Sequence, residues 1–412
     1  MKPVCRIHIA VSGIVQGVGF RPFLHRLAQS HQLNGWVRNT SSGVELELEG
    51  SSDALDEFVS DLRHKAPPLA VVEDIAVTPL EGLAGYSAFT IRNSRADGGA
   101  TLVSPDIAPC PACLKELYDP SDRRYRYPFI NCTDCGPRFT IIRTLPYDRP
   151  GTSMARFAMC PDCAAEYRDI ATRRYHAQPD CCPVCGPGAF YLDNRGIPVQ
   201  GDPVALAQQA LAAGGVIAVK GAGGIHLACD ARNPDAVRRL RRRKHREEKP
   251  LAVMCRDLDT AKSICRVDAD EAAILQSVRR PILLLQKKDP HSLPGLSANA
   301  RVGVMLPYTP LHVLLLDGSA GGPAMLVMTS ANLPGRPVMV DNEEALQGLH
   351  GIADGYLLHN RDIVNRCDDS LAAVWRGREY FFRRSRGYAP QPVTIPWDAS
   401  GILALKKKKK AS

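Results

Sequence analysis

The chain has 412 residues, 45% of them hydrophobic, which is enough apolar material for two or three domains with a core in each. Its formal net charge is +9, but the run Lys406 to Lys410 supplies five of those charges, so the remaining excess is too mild to argue for nucleic acid. No apolar run approaches the roughly 18 residues of a membrane span, and the N-terminus reads as lacking a signal peptide, so a cytoplasmic protein with no membrane partner is expected.

In chain order, Cys5, Ile7, Ile9 and Val11 alternate with Arg6, His8, Ala10 and Ser12, the period of a half-buried strand, and Leu24, Leu27 and Ala28 follow at helical spacing. Gln16, Gly17, Val18, Gly19 and Phe20 lie between them. The two glycines let the backbone approach a ligand closely, a helix start offers free N–H groups, and Arg21 adds a planar fork of donors suited to phosphate. Taken alone, such a turn is more often just a tight connection. Strands at "GWVRN" and "GVELELEG", a helix at "SSDALDEFVSDLRHK" and strands at "VVEDIAVTPL" and "AFTIRNS" complete the order β-α-β-β-α-β, a ferredoxin-like sandwich. In that fold Asn39 can meet the loop at one end of the sheet.

"VSGIVQGVGFR" followed by "GWVRNTSSGVELELEG" resembles the acylphosphatase signature, over an expected domain at residues 1–95. The resemblance implies that Arg21 binds phosphate and that Asn39 positions the attacking water. An acyl phosphate has a good leaving group, so positioning and charge stabilisation can carry the rate without a strong base.

Fourteen cysteines in a chain expected to be cytoplasmic point to metal rather than disulfides. The pairs are Cys110 and Cys113, Cys132 and Cys135, Cys160 and Cys163, Cys182 and Cys185. The second half of this region, residues 105–190, repeats the first at an offset of fifty, with Arg123, Arg124 and Tyr125 recurring as Arg173, Arg174 and Tyr175. Each copy carries the four thiolates of a closed structural zinc site, two Zn2+ in all. Sequential pairing is the simplest arrangement, and a crossed one stays open. The offset selects Cys182 over its neighbour Cys181. His176 is expected to pack rather than ligate, and a redox role for the pairs lacks the βαβ setting it needs.

The third region, residues 200–388, alternates helices ("PVALAQQALAAGG", "NPDAVRRLRRRKHREEKP") with buried strands ("VIAVKG", "PLAVM", "PILLLQ", "AMLVMTS"), which argues for an α/β twisted sheet. Arg238 to Arg246 holds seven Arg or Lys in nine residues, enough for a polyphosphate and equally a solvated basic face. Lys220, the Lys-x-Arg of Lys244 and Arg246, and the Ser-x-Asn of Ser330 and Asn332 resemble the YrdC-like domain that makes acyl-adenylates from ATP. The resemblance implies that these five residues bind nucleotide and carbamate, with Mg2+ accompanying the ATP. Arg383, Arg384 and Arg386 are weaker phosphate candidates, His226 reads as a core or supporting residue, and Asp368 and Asp369 as a capped turn or Mg2+ ligands.

Acylphosphatase-like, duplicated four-cysteine and YrdC-like segments in this order resemble the hydrogenase maturation carbamoyltransferase family HypF, over residues 1 to about 404. The resemblance implies hydrolysis of carbamoyl phosphate at the first site, adenylation of the carbamate to carbamoyl-AMP at the third, and transfer to the C-terminal cysteine of a HypE-like partner for cyanide ligand synthesis. That family continues into a transferase domain, whereas residues 389–412 read as a tail whose lysine run looks engineered or frameshifted, so transfer is not expected of this chain. Two other readings remain: a threonylcarbamoyl-AMP-type tRNA modification enzyme, which needs only the third region, and a zinc-ribbon nucleic-acid adaptor, which leaves Arg21 and Asn39 without purpose.

Overall fold

A computed structural model describes residues 3–99, 101–332, 335–393 and 395–398, so the lysine run lies outside the described residues. At the N-terminus β1 (Val4–Ile14), α1 (Phe20–Ser30), β2 (Asn34–Thr40), β3 (Gly43–Ser51), α2 (Ser52–His64), β4 (Val71–Leu80) and β5 (Phe89–Ile91) follow one another as the alternation requires. The sheet order is β4-β1-β3-β2-β5, with β1 and β3 antiparallel and Ile9 opposite Leu46, Val11 opposite Val44. One face of that sheet therefore presents a row of aliphatic side chains, and Leu24, Phe58 and Leu62 from the two helices bury it. At Gly13 the β1–β4 register slips; φ there is +113° and a Cβ would stand 2.1 Å from the Val71 carbonyl oxygen, so only glycine fits the bulge that re-aims the chain into the phosphate loop.

In the cysteine region each repeat opens a short helix directly after its first cysteine, α3 (Pro111–Tyr118) and α4 (Pro161–Arg168), with proline at the first turn where no N–H partner is lost. The third region is a ten-stranded sheet of order β15-β14-β10-β11-β9-β12-β8-β7-β13-β6. Its strands are β6 (Ala189–Asp193), β7 (Ile217–Lys220), β8 (Ile225–Asp230), β9 (Ala252–Cys255), β10 (Ile282–Gln286), β11 (Arg301–Met305), β12 (Met325–Ser330), β13 (Gly355–His359), β14 (Leu371–Trp375) and β15 (Arg378–Arg383). The edge strand β6 pairs with β13 in antiparallel register, Phe190 opposite Leu358 and Leu192 opposite Tyr356.

The cysteine region and the large sheet share one hydrophobic core, in which Phe129, Ile141 and Met154 pack with Leu311, Leu314 and Leu357. Polar ties cross the same boundary. Arg126 pairs with Asp317 at 2.8 Å, and Asn365 donates from Nδ2 to the carbonyls of Phe139 and Ile142. Core packing of this kind holds the modules at fixed distances from one another.

Candidate functional sites

The eight paired cysteines form two clusters in sequential pairing, Cys110, Cys113, Cys132 and Cys135 in one, Cys160, Cys163, Cys182 and Cys185 in the other, with the sulfurs of each within 4.8 Å of one another. All-thiolate donors in four-fold sets fit Zn2+. Cys181 stands apart, its thiol held by the Tyr127 hydroxyl and the Phe129 carbonyl. His176 packs between Tyr167 and Tyr175. The repeats are interlocked: Arg123 and Arg124 of the first reach Glu166 of the second, while Arg173 and Arg174 of the second reach Glu116 of the first. The arginines that could suggest a nucleic-acid face thus point into the protein.

At the first catalytic candidate, Gly17 and Gly19 adopt φ of +72° and +73°, and Gly19 caps α1. Arg21, only 8% exposed, is a first-turn residue of that helix. Asn39 is 1% exposed and neither its Oδ1 nor its Nδ2 has a hydrogen-bond partner among the described residues. Buried amides are normally paired, so both of its polar atoms have bonding capacity left for a ligand or water. The side chains of the other loop residues serve the fold: Gln16 pins the carbonyls of Thr40 and Gly43 at 2.7 and 2.8 Å, and Val18 and Phe20 enter the core.

The loop is not exposed as a free-standing sandwich would leave it. Thr133, Arg138, Tyr147, His176 and Gln178 of the cysteine region close one pocket with Gly17, Arg21 and Asn39. Arg138 donates to the Gly17 carbonyl and spends its other donors on the carbonyls of Cys132, Thr133, Cys135 and Pro137. Asp148 pairs with Arg21 at 3.0 Å. Burial, with Arg21 adding, pushes His176 down to about 4. None of these contacts is legible in the sequence, because they join segments far apart along the chain and no local pattern encodes the docking of the cysteine region on the loop.

In the third region Lys244, Arg246, Ser330 and Asn332 converge. Lys244 Nζ donates to the Ser330 carbonyl and, at 3.2 Å, to Asn332 Oδ1; Ser330 Oγ donates to that same oxygen at 2.9 Å; Arg246 donates to Thr329 Oγ1 at 2.9 Å. Arg246, Thr329, Ser330, Asp368 and Arg383 line a wide groove over the sheet. Burial and the neighbouring Arg246 and Lys249 push Lys244 down to about 8.

Several expectations meet the structure here. Much of the basic run in and after α5 (Pro234–Arg243) is spent on the protein: Arg241 donates to the carbonyls of Gly295, Leu296 and Glu247, and Arg243 pairs with Asp354 at 2.8 Å, whereas Lys244 and Arg246 turn toward the Ser-x-Asn segment. Lys220 is not with them. It ends β7, bonds Asn342 at 2.8 Å, and lines a separate small cavity between the sheet and the cysteine region with Asp106, His359 and Arg361. Asp369 is bonded to His226 at 2.8 Å and to Arg386 at 2.6 Å.

Comparison with known proteins agrees with this three-part layout. The acylphosphatase family matches residues 7–91, the HypF finger residues 110–142 and 159–191, and the Sua5/YciO/YrdC family, described as telomere recombination, residues 209–385. Carbamoyltransferase HypF2 of Cupriavidus necator is 50% identical over 97% of this chain, and carbamoyltransferase HypF of a Synechocystis species 51% over 95%. The chain belongs to the HypF family. It spans about half the length of these curated relatives, 52% and 51%. A solved full-length HypF in a phosphate- and nucleotide-bound form superposes with a TM-score of 0.91 at 46% identity, covering 96% of this chain and 52% of that one. Within the described residues no helix is long and apolar enough to cross a membrane.

Proposed function

We propose that this chain carries the first two steps of HypF chemistry, hydrolysis of carbamoyl phosphate and adenylation of the carbamate, and so supplies carbamoyl-AMP for transfer to the C-terminal cysteine of a HypE-like protein. The observation that supports it is that two polar sites of complementary chemistry stand in one packed chain: the buried Arg21 with Asn39, and, half-buried at the groove, Lys244 and Arg246 with Ser330 and Asn332.

At the first site the loop amides and Arg21 hold the phosphoryl oxygens, and Asn39 orients water for attack on phosphorus. The P–O bond to the acyl oxygen breaks, leaving carbamate and inorganic phosphate. Exclusion of bulk water by the cysteine region suits a product that decomposes when released. At the groove a carbamate oxygen attacks the α-phosphorus of ATP, which arrives as its Mg2+ complex, and pyrophosphate leaves. Arg246 and Lys244 offset the charge that builds on the phosphates. Lys220 lines its own cavity with Arg361, and in this reading it meets carbamate rather than nucleotide. The eight cysteines, with a zinc ion in each set, hold the lid of the first site in shape.

ATP–pyrophosphate exchange tests this reading. Exchange that requires carbamoyl phosphate supports it; exchange that requires threonine with bicarbonate instead assigns the chain to tRNA modification.

A further inference from the structure

His226 is the second residue of β8, directly opposite Ser330 on the antiparallel neighbour β12. Residues so paired project from the same face of a sheet with their Cβ atoms about 5 Å apart. The imidazole therefore stands beside the Ser-x-Asn segment, and it lines the same groove as Arg246 and Ser330. It is 6% exposed. Its Nε2 lies 2.8 Å from Asp369 Oδ2, while its Nδ1 has no partner among the described residues.

That arrangement fixes what the ring can do. Arg386 bonds the other oxygen of Asp369 at 2.6 Å, so the carboxylate is ionised and can only accept. The proton between the pair then belongs to Nε2, and in the neutral ring Nδ1 is a bare acceptor. Arg386 already matches the charge of Asp369, and Arg246 and Arg383 share the groove. The groove is rich in donors for oxyanions. A neutral acceptor held rigidly among them reads the opposite feature of a substrate, an N–H.

We propose that His226 is a specificity-determining residue that accepts a hydrogen bond from the amino group of the carboxylate substrate, and so selects carbamate over carboxylates of the same shape that have none. This rests on the carbamate reading above and names the group that enforces it. Acetate is the natural comparison, since a methyl replaces the NH2. A site built around a buried hydrogen-bonding group rejects the analogue that leaves it unpaired far more strongly than an apolar pocket rejects a small change of size.

The test is pyrophosphate exchange by the full chain with carbamate and with acetate, alongside nucleotide affinity measured directly. His226→Leu should lower kcat/KM for carbamate by about 10- to 100-fold, the loss of one buried hydrogen bond, leave acetate near its wild-type value, and leave the nucleotide Kd unchanged. His226→Gln, which keeps an acceptor, should stay within a few-fold of wild type for carbamate. If His226→Leu binds nucleotide normally and still prefers carbamate to acetate as wild type does, the role is refuted. If Leu and Gln variants lose nucleotide binding together, His226 is a packing residue and the proposal falls. If the unmodified chain shows no carbamate-dependent exchange, the functional reading fails first, a result distinct from either.

Discussion

Arg123 of the first cysteine repeat donates to the Cys163 sulfur of the second at 3.3 Å, and fifty residues on, Arg173 returns the contact to Cys113 at 3.6 Å. Each set of four cysteines carries four thiolate charges against the two of a zinc ion, so a guanidinium from the opposite repeat offsets charge that the metal leaves over. The duplication has thus produced two metal sites that complete each other.

Replacing Arg173 with Ala should accordingly weaken the first cluster and spare the second, and Arg123→Ala the reverse. Partners that orient and neutralise metal ligands are worth about 10- to 100-fold in affinity. Chelator-coupled release, read as two kinetic phases, measures it. Cys132→Ala should lose one ion and keep the other, and Cys181→Ala should leave the count at two. Equal acceleration of both phases by Arg173→Ala would show that the contact is not local to one site.

The pairing of Arg21 with Asp148 makes two substitutions informative together. Arg21→Ala should slow phosphate release from carbamoyl phosphate by at least about 100-fold, as loss of one preorganised donor does elsewhere. Arg138, also in that pocket, is committed to backbone carbonyls and cannot replace it. Asp148→Asn removes a competitor for the guanidinium, so inorganic phosphate should inhibit several-fold more tightly. Unchanged hydrolysis in the Arg21 variant would remove the assignment.

The cysteine clusters and the meeting of Arg21 with Asn39 at one end of the sheet are legible in local pattern, glycines where φ is positive, thiolates at ligand spacing and strands at a two-residue period, whereas the roles expected of Arg21 and Asn39 come only from the acylphosphatase resemblance. What is not legible is long-range. Asp148 and Tyr147 meet the phosphate loop only because packing fixes the cysteine region against the sandwich, and no local pattern encodes that docking. The basic run shows the opposite failure. Its composition suggests a polyphosphate patch, yet Arg241 and Arg243 satisfy backbone carbonyls and Asp354, since a charged side chain near a loop finds the backbone first. Lys220 is drawn to the nucleotide by its motif, whereas the end of β7 delivers it to another cavity.

Separation of the two sites gives the third prediction. A Lys244→Ala, Arg246→Ala double variant should keep hydrolysing carbamoyl phosphate and lose exchange. An Arg21→Ala chain should lose exchange driven by carbamoyl phosphate and regain it when carbamate is supplied directly at high concentration. Loss of hydrolysis in the double variant, with fold and zinc intact, would mean that the two chemistries share one centre.

Lys244 supplies a dependence on pH whose sign can be worked out. Burial, together with Arg246 and Lys249, lowers its ammonium to about 8 from the ordinary lysine value. At pH 7 the side chain is charged and can pair with a polyphosphate; as pH rises through about 8 the free protein loses that proton first, while the nucleotide-bound form, with an anion beside the amine, retains it. Nucleotide binding above that pH must therefore take up a proton, and affinity should fall between about pH 7.5 and 9.5 by about 10-fold or more, the worth of one charge-assisted hydrogen bond. Lys220 is lowered to about 8 as well, chiefly by burial, but it faces the other cavity. Lys244→Met should bind nucleotide weakly and show no further fall across this range, whereas Lys220→Met should keep the wild-type slope. Calorimetry in two buffers of different ionisation heat reads the proton uptake directly, and a slope that vanishes in the Lys220 variant instead would place the nucleotide at the wrong lysine.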